Sequence, residues 1–294
     1  MNKDLNVDYA VIPCAGLGTR FLPITKGVPK EMLNIIDRPT LDFIVKECVD
    51  SGIKNIILIV SKGKDDIKRY YSLDKEYEQE LLNKGKKQEY NLVHRIATQA
   101  NFYYITQEEL LGLGYAVYLA KDIIKDNNFV VCCGDDITTY KGKPPVYQMI
   151  KAFKEVNGGT IVGGQTVPHK EIYKYGCMDV VRRVNNRLYE LQGIVEKPSI
   201  EKAKSDLASL GKWIFNSSIF EAIKNTKKGR GGEIQLTDAI ALLMKEQPVY
   251  FYDFLGKRYD CGDKLGYLKA IVDVGLARED LKDDFLSFLK TKVK

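Results

Sequence analysis

The sequence predicts an α/β protein whose core is a doubly wound, mostly parallel (Rossmann-like) mixed sheet flanked by helices. Residues 9–14 and 53–61 are short apolar runs typical of buried strands. Between them, residues 39–52 place their apolar side chains on one helical face, and a short helix follows near residues 65–71. This β-α-β-α order predicts helices on both faces of a parallel sheet.

The rest of the chain continues the alternation, with one polar interruption. Residues 75–100 are dense in Lys, Glu, Gln and Asn, which predicts a solvated helical excursion to which we assign no chemistry. Further strands are expected at 102–107, 128–134, 159–167, 176–195 (a meander), 211–215 and 248–256, the last run ending at 257–262. Further helices are expected at 146–156, 218–225, 233–246, 264–277 and 284–294.

Composition restricts the classes of function. With 294 residues and 45% apolar content, the chain is long enough to bury a substantial core. Its net charge of +6 comes from 45 basic and 39 acidic side chains spread along the sequence. That balance suits acidic small-molecule substrates and does not require nucleic acid. Six cysteines without a C-x-x-C pair, and only two histidines, argue against a zinc site.

The sequence contains no recognisable targeting or membrane segment. Residues 1–8 are polar and lack the apolar stretch of a signal peptide, and no apolar run approaches the ~18 residues of a membrane span. We therefore expect a cytoplasmic protein with reduced cysteines and with neither a membrane nor a nucleic-acid partner.

A glycine-containing basic loop follows the first predicted strand. Gly16 and Gly18 allow a tight turn that presents backbone N–H groups to an anion, and Arg20, Lys26 and Lys30 add three cations. The loop is neither a G-x-G-x-x-G nor a G-x-x-x-x-G-K-[ST] motif. It is interpreted either as a cradle for a polyphosphate or, more plainly, as a glycine turn after a buried strand.

Several ordered blocks decide between these interpretations. They are Ala15-Gly-Leu-Gly-Thr-Arg-Phe-Leu-Pro, Pro29-Lys-Glu-Met-Leu, Gly112-Leu-Gly-Tyr-Ala-Val, Gly134-Asp-Asp, Tyr175-Gly, Val195-Glu-Lys-Pro, Glu233-Ile-Gln-Leu-Thr-Asp-Ala and Asp260-Cys-Gly-Asp-Lys-Leu-Gly-Tyr. In this order and at about this spacing, they resemble the bacterial UTP–glucose-1-phosphate uridylyltransferases over roughly residues 8–280. The resemblance implies a nucleotidyltransferase-type fold and Mg²⁺-dependent transfer of UMP from UTP to α-D-glucose 1-phosphate.

The resemblance assigns a nucleotide site to the first half of the chain. The residues implied to bind nucleotide are Ala15, Gly16, Gly18, Glu31, Gln107 and Gly112. An amide such as that of Gln107 can pair with a base edge, and Gly112 lets the backbone approach a flat ring. Tyr115 stands where relatives commonly have His, which leaves any contact by that side chain open.

The resemblance assigns most of the sugar-phosphate site to the second half of the chain. The residues implied to bind it are Asp136, Gly176, Glu196 and Lys197. Neighbouring side chains of a strand diverge, so Glu196 and Lys197 face one ligand only if the strand ends or bulges there. The following Pro198 is consistent with such an ending. The alternative for these two residues is a solvated ion pair.

Acidic and basic residues complete the expected site. Asp135 follows a predicted parallel strand, where open α/β sheets bind ligands, and it is expected to hold Mg²⁺ with Asp260 as the second carboxylate. Arg20 and Lys30 are expected to bind the β- and γ-phosphates and the leaving pyrophosphate, and Lys197 the sugar phosphate.

These assignments predict a single nucleotidyltransferase domain over residues 1–294. A nucleotide-binding half covers about 8–140, a sugar-phosphate half about 141–262, and C-terminal helices 263–294. A homodimer or homotetramer is expected. Two alternatives remain open: the same chemistry with dTTP or another sugar 1-phosphate, and a nucleotide-sugar sensor without turnover.

Overall fold

A computed structural model describes residues 5–292 and contains one large mixed sheet. The strands are β1 (Val7–Pro13), β2 (Asn34–Ile35), β3 (Arg38–Pro39), β4 (Asn55–Ser61), β5 (Asn101–Gln107), β6 (Asn128–Cys132), β7 (Asp136–Thr139), β8 (Thr160–Thr166), β9 (Gly176–Arg183), β10 (Leu188–Glu196), β11 (Leu207–Phe215), β12 (Val249–Asp253) and β13 (Lys257–Asp260).

The α-helices range from four to 14 residues in length. The α-helices are α1 (Thr40–Asp50), α2 (Asp65–Tyr70), α3 (Lys75–Asn83), α4 (Lys87–Thr98), α5 (Leu113–Tyr118), α6 (Lys121–Ile124), α7 (Pro145–Glu155), α8 (Ser218–Lys224), α9 (Leu236–Leu243), α10 (Lys264–Ala277) and α11 (Lys282–Lys290). Short 3-10 helices lie at Thr19–Phe21, Ile24–Lys26, Lys30–Met32, His169–Lys174, Ile200–Lys202 and Arg230–Gly232.

The large sheet has the order β5-β4-β1-β6-β11-β8-β12-β10-β9. The first four of these strands pair in parallel, whereas β11 pairs antiparallel with both β6 and β8. The α/β class, with a mixed sheet flanked by helices, is therefore confirmed. Parallel pairing dominates only in the N-terminal half, because β11, β10 and β9 run against their neighbours.

Alternate residues of the central strands build two core layers. Ile56 and Leu58 of β4 face the layer that includes α1 and α7, and Ile57 and Ile59 face the layer that includes α5, α8 and α9. This division follows from the two-residue period of side chains along a strand. Because both faces are covered, the central strands are apolar throughout, as is typical of buried parallel sheets.

Two predicted elements near the C-terminal half of the site differ most from the structure. The helix expected at 233–246 covers only Leu236–Leu243. Before it, the Ile234 N–H donates to the Leu111 carbonyl and the Ile234 carbonyl accepts from the Gly114 N–H, so this backbone is paired outside the helix. The β-run expected to extend from 248 to 262 is two strands, β12 in the large sheet and β13 in a separate two-stranded sheet with β7.

The polar excursion and the chain end agree with expectation in outline. Residues 75–100 contain the helices α3 and α4, which pack on each other. The last helix, expected to reach residue 294, ends at Lys290, and residues 293–294 lie outside the described part. Among the described residues no helix is both long and apolar enough to cross a membrane.

A buried lysine links the large sheet to α1 and to β7. Lys212 of β11 is fully buried, and its Nζ lies 3.4 Å from Oε2 of Glu47 on α1. It also donates a hydrogen bond of 3.2 Å to the backbone carbonyl of Asp136. Burial alone would lower the pKa of Lys212, but the charges of Glu47 and Asp136 outweigh it and raise the pKa above its ordinary value. The ammonium is therefore charged and paired inside the core.

Breaking this pair on one side is expected to destabilise the fold strongly. The substitution Lys212→Met leaves the Glu47 carboxylate buried without its cation, a loss of about 3–5 kcal/mol in free energy of unfolding. The double variant Glu47→Gln/Lys212→Met should lose clearly less free energy of unfolding than Lys212→Met. It leaves no unpaired charge at residue 47, and a glutamine there still accepts the 3.1 Å hydrogen bond from the Val146 N–H. Urea unfolding measures both.

The exposed pair Lys46–Asp50 on the same helix is the control. Its atoms lie 2.8 Å apart, and Lys46→Met should cost about 0–1 kcal/mol because water screens exposed ion pairs. An equal loss in Lys212→Met and Lys46→Met would contradict the assignment of Lys212 to a buried charge pair.

Candidate active site

Two adjoining cavities lie where the parallel strands end. The first, here called the glycine-loop cavity, has a volume of about 430 Å³ and lies beyond the ends of β1, β5 and β6. Its wall contains eight residues that the sequence predicted for the site, namely Ala15, Gly16, Gly18, Lys30, Glu31, Gln107, Gly112 and Asp135. Segments far apart in the chain therefore meet here, as expected for an open α/β sheet.

The second cavity, here called the Lys197 cavity, has a volume of about 290 Å³. Its wall contains the predicted residues Arg20, Asp135, Asp136, Gly176, Glu196, Lys197 and Asp260. Leu113, Cys133 and Asp135 line both cavities, which places the two side by side. Tyr115 is not among the wall residues of either cavity in the described chain.

Lys30 and Asp135 meet at this junction. The Nζ of Lys30 donates a hydrogen bond of 2.6 Å to Oδ2 of Asp135. Burial alone would lower the pKa of Lys30, but the carboxylates of Asp135 and Glu31 outweigh burial and raise it. The Nη1 of Arg20 contacts the carbonyl oxygen of Gly262 at 3.3 Å. Two cations thus flank the junction between the cavities.

Gly112 brings two segments together in the wall of the glycine-loop cavity. Its φ is 97°, and a β-carbon there would lie 2.8 Å from Cβ of Glu233 and 2.9 Å from the Ile234 carbonyl oxygen. Only glycine has both the backbone freedom and the room for this approach. Nearby, the buried Gln107 donates from Nε2 to the Glu109 carbonyl at 2.8 Å. This bond orients the amide and leaves its Oε1 as an acceptor.

Strand β10 ends where the Lys197 cavity begins. Its last residue is Glu196, and Lys197 has a left-handed φ of 46°. This break in the strand allows both side chains to line the same cavity, with Lys197 Nζ 3.3 Å from Glu196 Oε1. The hydroxyl of Thr237 donates to Glu196 Oε2 at 3.0 Å. The condition that the sequence sets for a shared ligand, a strand that ends at these residues, is therefore met.

Asp136 is held by an arginine that the sequence analysis missed. Arg258 of β13 donates to both carboxylate oxygens of Asp136, at distances of 2.6–2.9 Å. Burial raises the pKa of Asp136, and the charge of Arg258 opposes that rise. Arg258 also donates to the Tyr175 hydroxyl at 3.3 Å. The ion pair thus joins β7, β13 and the segment before Gly176.

Asp135 and Asp260 form the candidate cation site. A β-carbon on Gly262 would lie 2.6 Å from Asp135 Oδ2 and 3.1 Å from Asp260 Oδ1, so both carboxylates face the space left by this glycine. Among the described residues there is no group of three or more His, Cys, Asp or Glu side chains that could hold a metal. Two carboxylates completed by ligand oxygens fit Mg²⁺, which usually takes only one or two protein carboxylates. The donor set therefore fits a hard divalent cation.

Sequence reasoning missed Lys64, Lys212 and Arg258 near the site. For Arg258 a signal existed, because residues two apart in a strand share a face and Arg258 precedes Asp260 by two. For Lys64 and Lys212 no signal existed, since an isolated lysine in a polar loop or in a strand is ordinarily solvated.

Comparison with known proteins gives concordant results. The model of the nucleotidyl transferase family matches residues 9–275. The chain is 41% identical to a UTP–glucose-1-phosphate uridylyltransferase of Bacillus subtilis, covering 98% of this chain and 96% of the relative. It is 42% identical to UTP–glucose-1-phosphate uridylyltransferase 2 of Staphylococcus saprophyticus, with 97% of each chain covered.

Solved structures agree. A UTP-bound UGPase from Acinetobacter baumannii is 34% identical, with a TM-score of 0.87 and with 97% of this chain and 99% of that chain covered. A UDP-glucose pyrophosphorylase complexed with UDP-glucose is 32% identical, with a TM-score of 0.84 and with 93% and 100% covered. The chain therefore belongs to the nucleotidyltransferase family, among its UTP–glucose-1-phosphate uridylyltransferases.

Proposed function

We propose that the protein transfers UMP from UTP to α-D-glucose 1-phosphate, forming UDP-glucose and pyrophosphate. The observation that carries the proposal is the meeting of two cavities at Asp135 and Lys30. A donor and an acceptor bound in adjoining cavities would place the α-phosphorus of one next to the phosphate of the other. Positioning of this kind is a major source of rate enhancement.

The glycine-loop cavity is assigned to UTP. Ala15, Gly16 and Gly18 supply the backbone of the cradle, and Gln107 with Gly112 reads the uracil edge. The Oε1 of Gln107 suits the N3–H of uracil as an acceptor, because Nε2 of the same amide already donates to the Glu109 carbonyl. Lys30 of this cavity and Arg20, which lines the adjoining Lys197 cavity, are assigned to the β- and γ-phosphates, which depart as pyrophosphate.

The Lys197 cavity is assigned to glucose 1-phosphate. Glu196 accepts hydrogen bonds from sugar hydroxyls, Gly176 brings its backbone close to the sugar, and Lys197 pairs with the phosphate. A β-carbon on Gly176 would lie 3.3 Å from Glu196 Oε2, so the absence of a side chain there keeps the carboxylate accessible. Asp136 contacts the sugar only through the lone pairs that Arg258 leaves open.

The chemistry needs no general base. A sugar phosphate has a second pKa of about 6, as a phosphorylated side chain does, and is mostly dianionic at neutral pH. The phosphate oxygen attacks the α-phosphorus directly, the bond to the β-phosphate oxygen breaks, and pyrophosphate leaves. The protein must bring two anions together, and Arg20, Lys30 and Lys197 offset their repulsion.

Nucleotidyltransferases of this family generally use a divalent metal. We propose Mg²⁺ as that metal and Asp135 and Asp260 as the side chains that hold it, because both carboxylates face the space at Gly262. When bound, the cation supplies further neutralisation of phosphate charge.

A pyrophosphate-release panel tests the function. Four nucleoside triphosphates are combined with glucose, galactose and N-acetylglucosamine 1-phosphates, and we expect UTP with glucose 1-phosphate to give the highest kcat/KM. A preference for dTTP or for another sugar phosphate would show that the protein catalyses the same reaction on other substrates. Binding without pyrophosphate release in every combination would instead indicate a sensor.

Three further assignments stay predictions: the division into a nucleotide half and a sugar-phosphate half, assembly as a homodimer or homotetramer, and the cytoplasmic location. The first is supported by the cavity walls, because the glycine-loop cavity draws on residues 13–135 together with Glu233.

Replacing Asp135 tests the cation site. Asp135→Asn removes one ligand charge at constant volume, so turnover should fall by roughly 100-fold or more, as for other charge-stabilising groups. The fold, followed by circular dichroism, should be unchanged. Asp126→Asn, in an exposed loop, is the matched control and should retain full activity. Wild-type turnover and metal dependence in Asp135→Asn would remove this residue from the site.

Replacing Lys197 tests the acceptor site. Lys197→Ala should raise the KM for glucose 1-phosphate about tenfold or more and leave the KM for UTP nearly unchanged, because the ammonium is assigned to the sugar phosphate. Lys202→Ala, also exposed and five residues away, is the control. If Lys197→Ala matches Lys202→Ala, the Glu196–Lys197 pair is only a solvated ion pair.

Replacing Gln107 tests base reading. Loss of one neutral hydrogen bond costs about 0.5–1.5 kcal/mol, so Gln107→Ala should lower kcat/KM for UTP roughly threefold to tenfold and narrow its advantage over CTP. Discrimination against dTTP should persist, because its 5-methyl group lies away from the N3 edge. The measurement is kcat/KM for all three nucleotides at saturating glucose 1-phosphate. An unchanged ratio of kcat/KM for UTP to that for CTP would assign base reading to another group.

A further inference from the structure

Lys64 lies behind the glycine loop. It follows β4 and precedes α2, and its side chain is only 12% exposed. Its Nζ contacts three oxygens, the carbonyls of Cys14 and Gly16 and Oε2 of Glu31, the last two at 2.9 and 2.8 Å. The described wall of the glycine-loop cavity does not include Lys64. The ammonium therefore supports the cavity from behind.

These contacts determine the direction of the loop peptides. The only cis peptide in the described chain is Leu22–Pro23, so the peptides after Cys14 and Gly16 are trans. In a trans peptide the N–H points away from the carbonyl oxygen. With both carbonyls on Lys64, the N–H groups of Ala15 and Leu17 point away from the ammonium, and both residues line the cavity. The Lys64 ammonium thus orients two backbone N–H groups of the glycine loop.

The same ammonium holds Glu31. This carboxylate is fully buried, its Oε2 accepts from Lys64, and its Oε1 is buried without a partner among the described atoms. Burial raises the pKa of Glu31, and the charges of Lys64 and Lys30 oppose the rise. Since Glu31 lines the cavity, its orientation and charge bear directly on what binds there.

We propose that Lys64 is a positioning residue for the nucleotide: it holds the glycine loop and Glu31 in the arrangement that receives UTP, without touching UTP itself. The proposal rests on the proposed function, because it takes UTP as the occupant of the glycine-loop cavity. It implies that loss of Lys64 weakens the binding of the nucleotide and leaves the binding of the sugar phosphate unchanged. The described wall of the Lys197 cavity, which is assigned to the sugar phosphate, lacks Lys64, Gly16 and Glu31.

The test compares Lys64→Met with Lys62→Met by steady-state kinetics. Both variants remove one lysine from the same loop, and Lys62 is exposed. Hydrogen bonds to charged groups are stronger than neutral ones, so Lys64→Met should raise the KM for UTP roughly tenfold to 100-fold. The KM for glucose 1-phosphate at saturating UTP should stay within about twofold of wild type. Lys62→Met should match wild type in both.

Equal increases in the two KM values, or kinetics like those of Lys62→Met, would overturn the proposal. A wild-type protein that shows no uridylyl transfer at all would instead overturn the proposed function, so the two failures are distinguishable.

A charge-balanced pair of variants covers the case in which Lys64→Met does not fold. Glu31→Gln/Lys64→Met leaves neither charge of this pair buried alone. It should have a KM for UTP at least threefold above that of Glu31→Gln, because the loop carbonyls still lose their donor. Equal KM values for these two variants would overturn the proposal.

Discussion

The charge pairs around Asp136 are the constraint on which the site depends. Asp136 lies between two cations, the partly buried Arg258 on its carboxylate and the fully buried Lys212 on its backbone carbonyl, and Lys212 is in turn paired with Glu47 on α1. Each charge would be costly in the core by itself, and each has an opposite partner within 3.4 Å. The chain of pairs ties α1, β11, β7 and β13 together next to the Lys197 cavity, whose wall includes Asp136 and Arg258.

Two neighbouring aspartates have different partners because of this network. Asp136 begins β7 and is buried against Arg258, whereas the preceding Asp135 remains at the junction of the cavities beside Lys30. The pairing of β7 with β13 places Asp260 opposite Asp136 and within reach of the same space as Asp135. The backbone of β11 also approaches the Asp136 carboxylate closely at Gly211. This glycine has a φ of 61°, and a β-carbon there would lie 2.9 Å from Asp136 Oδ2.

The predictions from sequence succeeded where the signal is local. Apolar runs such as 53–61 specify strands by themselves, and the motif blocks specify the family. The residues predicted for the site from these blocks line the two cavities, while their roles stay predictions. Features that depend on distant partners were missed. Nothing in the sequence near Ile234 indicates that its backbone pairs with Leu111, and nothing near Lys64 indicates three acceptors contributed by residues 14–31. Lys212 can likewise be buried because its ammonium pairs with Glu47, which lies 165 positions earlier in the chain.

The cation site that we propose at Asp135 and Asp260 is shared by the two cavities. Anomalous diffraction from crystals grown with UDP-glucose and Mn²⁺, a hard cation that can replace Mg²⁺, tests it most directly. We expect one anomalous peak within about 2.0–2.6 Å of carboxylate oxygens from both residues, and in contact with the phosphates of UDP-glucose. A peak that contacts only one of the two carboxylates, or that lies outside the junction of the cavities, would contradict the account.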